Sequence, residues 1–352
     1  MSAEFLIVGQ GLAGTTTAWR LWQRNQRFRI VDSMEPVTAS KIAAGLVTPV
    51  TGKKQVLTRD WSLYWSEADK FYRAIEDLLQ IRIWEECGAI RWFLTDQERQ
   101  QFLGRLGSGG YSGIDIQEIS PVITSEVHAP LGGYHMQPAA RLNLPEYLTA
   151  SRTFFEQHGM FEAMEVRAED FVLTETAVTL PRLDAEFNCV IWCTGYREAT
   201  SGQFREIDFR PVKGEILTVS LPQEIGRETW HFGGWLAPVP GASKLFRTGS
   251  TYDWDRLDQV PTSNAVESIL AKLAQVISGT PVIRDQVAAV RPAVSDASPV
   301  IGRHRQYPQF AILNGLGAKG TLWAPRAADV LVAAILNGEP IPSDLTCHRW
   351  QR

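Results

Sequence analysis

The sequence is poor in cysteine and has no long apolar run, and both absences exclude classes of protein. Its 352 residues include four cysteines, Cys87, Cys189, Cys193 and Cys347, too few and too scattered for a disulfide framework, which favours a reducing compartment. Cys189 and Cys193 lie in an apolar run and are interpreted as core thiols, with a metal-binding pair as the alternative; we predict no metal site. No stretch approaches the roughly 20 apolar residues of a membrane helix, and the first apolar run is too short for a signal peptide. We therefore expect a cytoplasmic protein without a membrane span.

A large excess of charge of one sign is also absent. The chain has 35 lysines and arginines against 39 aspartates and glutamates, a formal net charge of −4. No overall basic field therefore attracts nucleic acid, and such a partner is not expected. Apolar residues make up 44% and charged residues 21% of the chain, proportions that exclude disorder. The length is about twice that of a typical domain, which favours two interleaved domains.

The first thirty-five residues contain a strong nucleotide-binding motif. An apolar run at 5–8 is followed at once by the glycine turn 9–14, then by a helical stretch and a second apolar strand that ends in Asp32. Gly9 allows a tight turn, Gly11 lets the backbone approach a pyrophosphate, and Gly14 lets the helix pack closely on the strand. The pyrophosphate would meet the helix N-terminus, and Asp32 would accept hydrogen bonds from an adenosine ribose. A glycine turn without a ligand is the alternative.

The segment 39–49 bears on which dinucleotide is bound. A nicotinamide dehydrogenase would run directly from Asp32 into further strand–helix units, whereas this segment is rich in alanine and glycine. Such residues let the backbone pass close to a flat ligand, with Ser40 and Lys41 available to its oxygen atoms. A crossover loop that binds nothing is the alternative.

Four blocks of the sequence together resemble the FAD-dependent oxidoreductase family of D-amino acid oxidase, glycine oxidase and sarcosine oxidase. They are the turn 9–14 with Asp32, the small-residue segment 40–45, the apolar strand with a Thr-Gly end at 190–195, and the block 291–325. The resemblance implies an α/β protein in which a Rossmann-like FAD-binding domain of the glutathione-reductase type is interleaved with an α+β substrate domain on a mostly antiparallel sheet. FAD is the implied cofactor. No cysteine occurs at 314–321, so we expect it to be bound non-covalently.

The resemblance also implies domain boundaries and cofactor contacts. The FAD-binding domain would comprise 1–60, 135–212 and 283–352, and the substrate-binding domain 61–134 and 213–282. Val166 matches the place where the family's backbone meets adenine, although a plain core valine is the alternative. The residues expected to contact FAD are Gly9, Gly11, Leu12, Ala13, Gly14, Asp32, Ser33, Ser40, Lys41, Ala44, Gly45, Leu46, Val166, Cys193, Thr194, Gly195, Arg291, Gly317, Lys319, Gly320, Thr321 and Leu322.

The C-terminal block also predicts a strand, a turn and a helix without the family resemblance. A strand-like run at 310–313 and a glycine-rich turn precede a predicted helix from about 323 to 337, with Pro325 in its first turn and Gly338 at its end. Backbone donors at 319–322 would stabilise negative charge on a reduced flavin. Lys319 would add a full charge there; an exposed lysine is the alternative.

Arg291 is the predicted substrate anchor. It follows an apolar strand, and the resemblance implies that its guanidinium holds a substrate carboxylate through two hydrogen bonds. An ion pair with Asp296 or Asp285 is the alternative.

The run 230–238 is similar to the hairpin that covers the substrate pocket in this family. A period of two places His231, Gly233 and Trp235 on one face. His231 and Trp235 join Arg291 as candidate catalytic residues, His231 as a base, with a structural histidine as the alternative. Gly233 and Trp235 depart from the glycine oxidase pattern, which favours a bulkier or more apolar substrate group.

The predicted reaction is oxidation of the carbon next to an amine in a small, carboxylate-bearing substrate. The resemblance implies hydride transfer to flavin N5 and hydrolysis of the resulting imine, with oxygen or an acceptor protein taking the electrons. Alternatives are a flavin domain acting on a modified tRNA nucleoside or another macromolecular amine, a 2-hydroxy acid dehydrogenase, and a flavin- or NAD-binding protein without catalysis.

Patterns elsewhere in the chain predict further elements. A helical pattern covers 61–90, the glycine-rich segment 101–113 is predicted to be a flexible loop, and a helix begins at a cap at Asn143 and ends near Gly159. Another helix is predicted over 264–277.

Overall fold

The computed structural model describes residues 5–350, so the ends of the predicted cofactor domain, 1–4 and 351–352, lie outside the description. None of the helices in this range is both long and apolar enough to cross a bilayer. The helices are α1 (Leu12–Gln23), α2 (Ala39–Ile42), α3 (Trp61–Leu79), α4 (Asp96–Gly107), α5 (Leu144–Gln157), α6 (Glu198–Ser201), α7 (Ser263–Leu273) and α8 (Gly320–Asn337). Single 3-10 turns lie at Ala168–Asp170, Pro181–Leu183, Gly195–Arg197 and Gly317–Lys319.

A parallel sheet of six strands forms the first layer. Its order is β13 (Phe161–Ala163), β2 (Phe28–Asp32), β1 (Phe5–Val8), β17 (Cys189–Trp192), β24 (Phe310–Asn314) and β23 (Val300–Arg303). All neighbours are parallel except β23, which runs antiparallel to β24. The central strands read as continuous apolar runs because both faces are covered. Alternate residues such as Ile7 pack towards helices α1, α5 and α8, while Leu6 and Val8 face the opposite side.

The second layer is a sheet of eight strands. Its order is β22 (Val282–Arg291), β18 (Val212–Ser220), β21 (Ala242–Gly249), β20 (Trp235–Val239), β19 (Thr229–His231), β7 (Ala89–Trp92), β11 (Gly133–Gln137) and β8 (Asp115–Ile119). All neighbours are antiparallel except the β19–β7 pair. The predicted combination of a Rossmann-like parallel sheet and a mostly antiparallel sheet is confirmed.

Small sheets complete the fold. They are β3 (Leu46–Val47) with β12 (Ala140–Leu142) and β6 (Trp84–Glu86); β14 (Val172–Leu173), β15 (Val178–Leu180) and β16 (Ala185–Phe187); β4 (Val50–Thr51) with β5 (Val56–Leu57); and β9 (Val122–Ile123) with β10 (His128–Ala129). The β14–β16 meander packs on the face of the parallel sheet that the helices leave open. Strand β22 begins at Val282, one residue before the predicted boundary at 283, and pairs in the second sheet, so the domain boundaries stay a prediction.

Two element predictions were wrong: one helix is shorter than predicted, and one predicted loop is a helix. The helical pattern predicted over 61–90 ends at Leu79, where Gln80 adopts a left-handed conformation, and short strands follow. The segment predicted as a flexible loop, 101–113, is largely helix α4. Its cap Thr95 accepts a hydrogen bond from the Glu98 N–H at 3.2 Å and Phe102 is fully buried, and together these outweigh the helix-weakening glycines.

Smaller differences concern the ends of helices α7 and α5. Helix α7 ends at Leu273, short of the predicted 277, and its cap is Thr262, whose hydroxyl accepts from the Ala265 N–H. Helix α5 begins after Asn143 as predicted, but the Asn143 side chain makes no capping hydrogen bond.

Helix α8 begins at Gly320, three residues before the predicted start, and this moves Pro325 out of the first turn. Proline lacks an N–H, so the carbonyl of Thr321, four residues earlier, has no helical donor. The hydroxyl of Tyr72, on α3, donates to that carbonyl at 2.9 Å. A side chain from another helix thus replaces the missing backbone donor.

We expect Tyr72→Phe to lower the free energy of unfolding by about 1–3 kcal/mol, because the Thr321 carbonyl would stay buried without a donor. In a Pro325→Ala background the same change should cost less, since the restored backbone N–H can donate to Thr321. Urea denaturation of the four proteins measures both losses. Equal losses in the two backgrounds would contradict this account.

Candidate active site

A cavity of about 1170 Å³ lies between the two large sheets. Its walls are the glycine turn after β1, the loop from Thr38 to Thr48, the ends of β2 and β17, the first turn of α8, and one face of the second sheet. The carboxyl ends of parallel strands form one side of the cavity, the usual place for a ligand in an α/β sheet.

The glycine turn is held by contacts that exclude a side chain. Gly9 has φ +98°, and a Cβ there would lie 2.6 Å from the carbonyl oxygen of Cys193. A Cβ on Gly14 would lie 1.8 Å from the carbonyl oxygen of Gly9. Because these neighbours are backbone atoms, the N-terminus of α1 can sit at the cavity only if both positions are glycine.

Asp32 and Ser40 fix the cavity side of this turn. One carboxylate oxygen of Asp32 accepts from the Gln10 N–H at 2.6 Å and the other from the Met34 N–H at 2.8 Å. The Ser40 hydroxyl accepts from the Leu12 N–H at 2.9 Å. A carboxylate has about four acceptor sites, so Asp32 keeps lone pairs for the hydroxyls of a ribose.

The opposite end of the cavity is built from small residues and α8. Gly195 and Gly317 have positive φ and line the cavity, and a Cβ on either would meet no heavy atom within 4 Å. Lys319 also lines the cavity and donates from Nζ to the Thr58 hydroxyl at 2.9 Å. Burial lowers the pKa of Lys319.

All the residues predicted to contact FAD line this cavity except Gly14 and Lys41. Gly14 lies behind the turn, where it permits the close packing of helix and strand. The ammonium of Lys41 donates to the backbone carbonyl of Glu35. Of the cysteines in the described part of the chain, Cys193 lines the cavity. Burial raises the pKa of its thiol to about 12. The thiol is therefore neutral and a poor nucleophile.

Arg291 lies on the cavity wall at the end of β22. Its guanidinium donates to the Ser250 hydroxyl at 2.7 Å and to the Thr251 carbonyl at 3.3 Å, and it lies 4.8 Å from the centre of the Tyr252 ring. Burial lowers its pKa. Within the described part of the chain no carboxylate forms an ion pair with it.

The alternative partner Asp296 is bound elsewhere, because it forms a salt bridge with Arg349 at 2.6 Å. Sequence reasoning missed Gly214, on the neighbouring strand β18. A Cβ there would lie 2.0 Å from a terminal nitrogen of Arg291. A glycine inside a long apolar strand indicates such a close approach, but its partner is 77 positions away in the sequence.

His231 and Trp235 face each other across the turn between β19 and β20, and both line the cavity. On its other side His231 pairs with Arg91 of β7, a second lining residue that sequence reasoning missed. His231 Nε2 is buried and has no hydrogen-bond partner among the described residues. Burial and the neighbouring Arg91 lower the pKa of His231 to about 3, so the imidazole is neutral at physiological pH.

The glycine cradle, the Asp32 acceptor and the two helix N-termini together fit a dinucleotide with a flat ring at the α8 end. A model of the DAO family, described as FAD dependent oxidoreductase, matches residues 4–334. The chain belongs to this family. The predicted resemblance is confirmed, and the description of this family names FAD as its cofactor.

Individual relatives are distant in sequence. The bifunctional tRNA 5-methylaminomethyl-2-thiouridine biosynthesis protein of Hahella chejuensis is 24% identical over 96% of this chain and 57% of its own length. The chain thus spans little more than half of the first curated relatives. Glycine oxidase of Bacillus licheniformis is 22% identical over 97% of this chain and 95% of its own. The crystal structure of iminodiacetate oxidase from Chelativorans superposes with a TM-score of 0.78 at 20% identity, covering 97% of this chain and 99% of that one.

We expect Gly14→Ala to abolish FAD binding, because the added methyl would collide with the Gly9 carbonyl and force α1 away from the cavity. Gly104→Ala is the control: Gly104 lies inside helix α4 with no heavy atom within 4 Å of a new Cβ. This control should keep its flavin and gain about 0.5–1 kcal/mol of stability. The ratio of flavin to protein absorbance after purification measures the first effect, and urea denaturation the second. A Gly14→Ala protein with full flavin content would overturn the assignment.

The pH profile of kcat/KM between pH 5 and 8 should contain no step due to His231, because its low pKa keeps it neutral throughout that range. The His231→Gln enzyme should therefore show the same apparent pKa values as the parent, whatever its rate. Loss of a step near pH 6–7 in the variant would contradict this, since an unperturbed histidine has a pKa of about 6.5.

Proposed function

We propose that this DAO-family protein oxidises the carbon next to an amine in a carboxylate-bearing substrate. The observation that carries the proposal is Arg291, a half-buried arginine on the cavity wall with no carboxylate partner among the described residues. A partly desolvated charge without a counter-ion is costly, so such a group favours an anionic ligand. Bound FAD would supply the acceptor for the hydride of the C–H bond, after which water hydrolyses the imine product.

The contacts of Arg291 support a positioning role. Ser250 and Thr251 hold the guanidinium from the protein side, and Gly214 leaves the space in which it lies over β18. Two parallel N–H groups of a fixed guanidinium orient a carboxylate in one plane. A carboxylate fixed in this way determines where the adjacent carbon and amine lie, which is the main requirement for this chemistry.

The remaining candidates have supporting roles in the proposal. Trp235 forms an apolar wall beside the substrate and excludes water. His231, being neutral, contributes a hydrogen bond rather than proton abstraction. The residues predicted to contact FAD, with Gly14 acting through packing, would hold the cofactor, and Lys319 and the first turn of α8 would face the negative charge of its reduced form.

The relatives agree with this choice of substrate class. Glycine oxidase is named for an amine that carries a carboxylate, and iminodiacetate oxidase for an amine that carries two. A 2-hydroxy acid would bind Arg291 equally well and is distinguished by experiment.

A macromolecular amine is the second candidate. Tyr252 and Trp254 are 55% and 61% exposed, and their rings stack with centroids 5.9 Å apart. Tyr252 also lines the cavity. Exposed aromatic rings at a cavity mouth suit a nucleobase, and the name of the Hahella relative refers to an aminomethyl uridine in tRNA.

Anaerobic bleaching of the flavin spectrum identifies the substrate class. We expect glycine derivatives or other amino acids to bleach it, and 2-hydroxy acids and tRNA to leave it unchanged. Bleaching by tRNA alone would replace the first candidate with the second. Reoxidation of the bleached protein with and without oxygen then shows whether oxygen or an acceptor protein takes the electrons.

Arg291→Met should raise KM for a carboxylate substrate by about 10- to 100-fold, because charge-assisted hydrogen bonds contribute about 1.5–3 kcal/mol. Gly214→Ala should raise KM in the same direction by displacing the guanidinium. Arg284→Met is the matched control, since Arg284 lies on the same strand and is exposed. Unchanged steady-state kinetics for Arg291→Met would remove its assigned role.

A further inference from the structure

A row of paired residues crosses the cavity face of the second sheet. The register pairs Gly249 with Trp235, Trp235 with His231, and His231 with Arg91. All four residues line the cavity. The row therefore leads away from the Arg291 region to a second arginine on β7.

Arg91 is buried, and its ion-pair partner among the described residues is Glu98. Arg91 is 4% exposed, its Nε has no hydrogen-bond partner among the described residues, and its nearest carboxylate oxygen, on Glu98, is 3.7 Å away. That distance is too long for a hydrogen bond. The other carboxylate oxygen of Glu98 accepts from the Leu94 N–H at 2.9 Å, which anchors Glu98 at the start of α4.

The surroundings of Arg91 favour an anion. Lys53 and Lys54, exposed residues in the turn between β4 and β5, line the same cavity and add positive charge to it. His231 presents a second buried nitrogen without a partner. A guanidinium that is buried, and whose charge is only partly balanced by a carboxylate, binds an oxyanion more strongly than one in water.

The separation between the two arginines indicates the length of the ligand. The guanidinium of Arg291 contacts Ser250, which directly follows Gly249. From Gly249 to Arg91 the row covers three strand-to-strand steps, or about 14 Å at 4.8 Å per step. A glycine-sized substrate held at Arg291 cannot span that distance.

We propose that Arg91 and the unpartnered nitrogen of His231 form a second oxyanion subsite, and that the substrate is an elongated amine with a second anionic group. This inference rests on the proposed function, because it takes Arg291 as the anchor of the first carboxylate. The second group is a carboxylate or a phosphate-type oxyanion. Trp235 lies between the two subsites and contacts the apolar linker.

The test uses binding as well as turnover. The flavin-loaded protein is titrated with alkanedicarboxylates of increasing length and with monocarboxylates of matched length, and the change in the flavin spectrum gives each Kd. ω-Phosphonoalkanoates form a third series that separates phosphate-type from carboxylate recognition. We expect dicarboxylates or phosphonates above a threshold length to bind at least about tenfold more tightly than matched monocarboxylates, with no such gain for short ones.

Arg91→Gln should abolish this gain and leave the affinity for short monocarboxylates unchanged. Arg99→Gln is the matched control, because Arg99 is exposed on α4 and lies outside the cavity. In turnover, N-(ω-carboxyalkyl)glycines of sufficient length should have a higher kcat/KM than N-alkylglycines of equal length, and only Arg91→Gln should remove the difference.

The outcomes separate the two proposals. If short amines bleach the flavin but long dianions bind no more tightly than matched monoanions, the second subsite is wrong and the proposed oxidation stands. If no amine bleaches the flavin but the Arg91-dependent preference for long dianions is present, the subsite stands and the proposed oxidation is wrong. The length series needs only the parent protein, so it decides the question even if Arg91→Gln does not fold.

Discussion

The close approach of three backbone segments at the end of the parallel sheet is the constraint on which the rest of the structure depends. The turn after β1 touches Cys193, the first residue after β17, and α1 touches the turn itself, at Gly9 and Gly14. This packing aims the free N–H groups of α1 into the cavity. It also places Asp32 where its carboxylate can bind both the turn and a ribose. The proposed cofactor end of the cavity is therefore shaped mainly by backbone contacts, with few side chains specific to it.

The cavity wall formed by the second sheet, where we propose that the substrate binds, is built in a different way. The second sheet supplies two arginines: Arg91 is buried with an unpaired Nε, and Arg291 is half-buried with no carboxylate partner among the described residues. The energy of folding elsewhere in the molecule must offset this cost. Such groups are stabilised when an anion binds. The desolvation of the arginines therefore both destabilises the ligand-free protein and strengthens the binding of an anion. Tightly bound FAD and a flat apolar wall at Trp235 would lower the local dielectric further and strengthen both effects.

The sequence predicts what depends on neighbouring residues and misses what depends on register between distant strands. The glycine turn and Asp32 were predictable because strand, turn and helix follow each other within thirty residues, whereas the two large sheets were expected from the family resemblance. Arg291 was found only through the family resemblance. Gly214 and Arg91 were not found, because their roles depend on contacts with distant residues. Gly214 lies next to Arg291, 77 positions away, and Arg91 pairs with His231, 140 positions away. Helix α4 was missed for a related reason: its glycines argue against a helix, and the burial of Phe102 that overrides them is a tertiary effect.

Tyr72 joins parts of the chain that are far apart in sequence. Its contact with Thr321 spans 249 positions, and Arg20 of α1 reaches the Pro325 carbonyl at 3.2 Å. The opening turn of α8 is therefore completed by residues from the first quarter of the polypeptide. A ligand that contacts both α1 and α8 stabilises the same arrangement. Binding of the cofactor and the packing of α8 against the first quarter of the chain are therefore thermodynamically linked. Proteolytic separation of the last helix should consequently be slowest in the fully loaded protein.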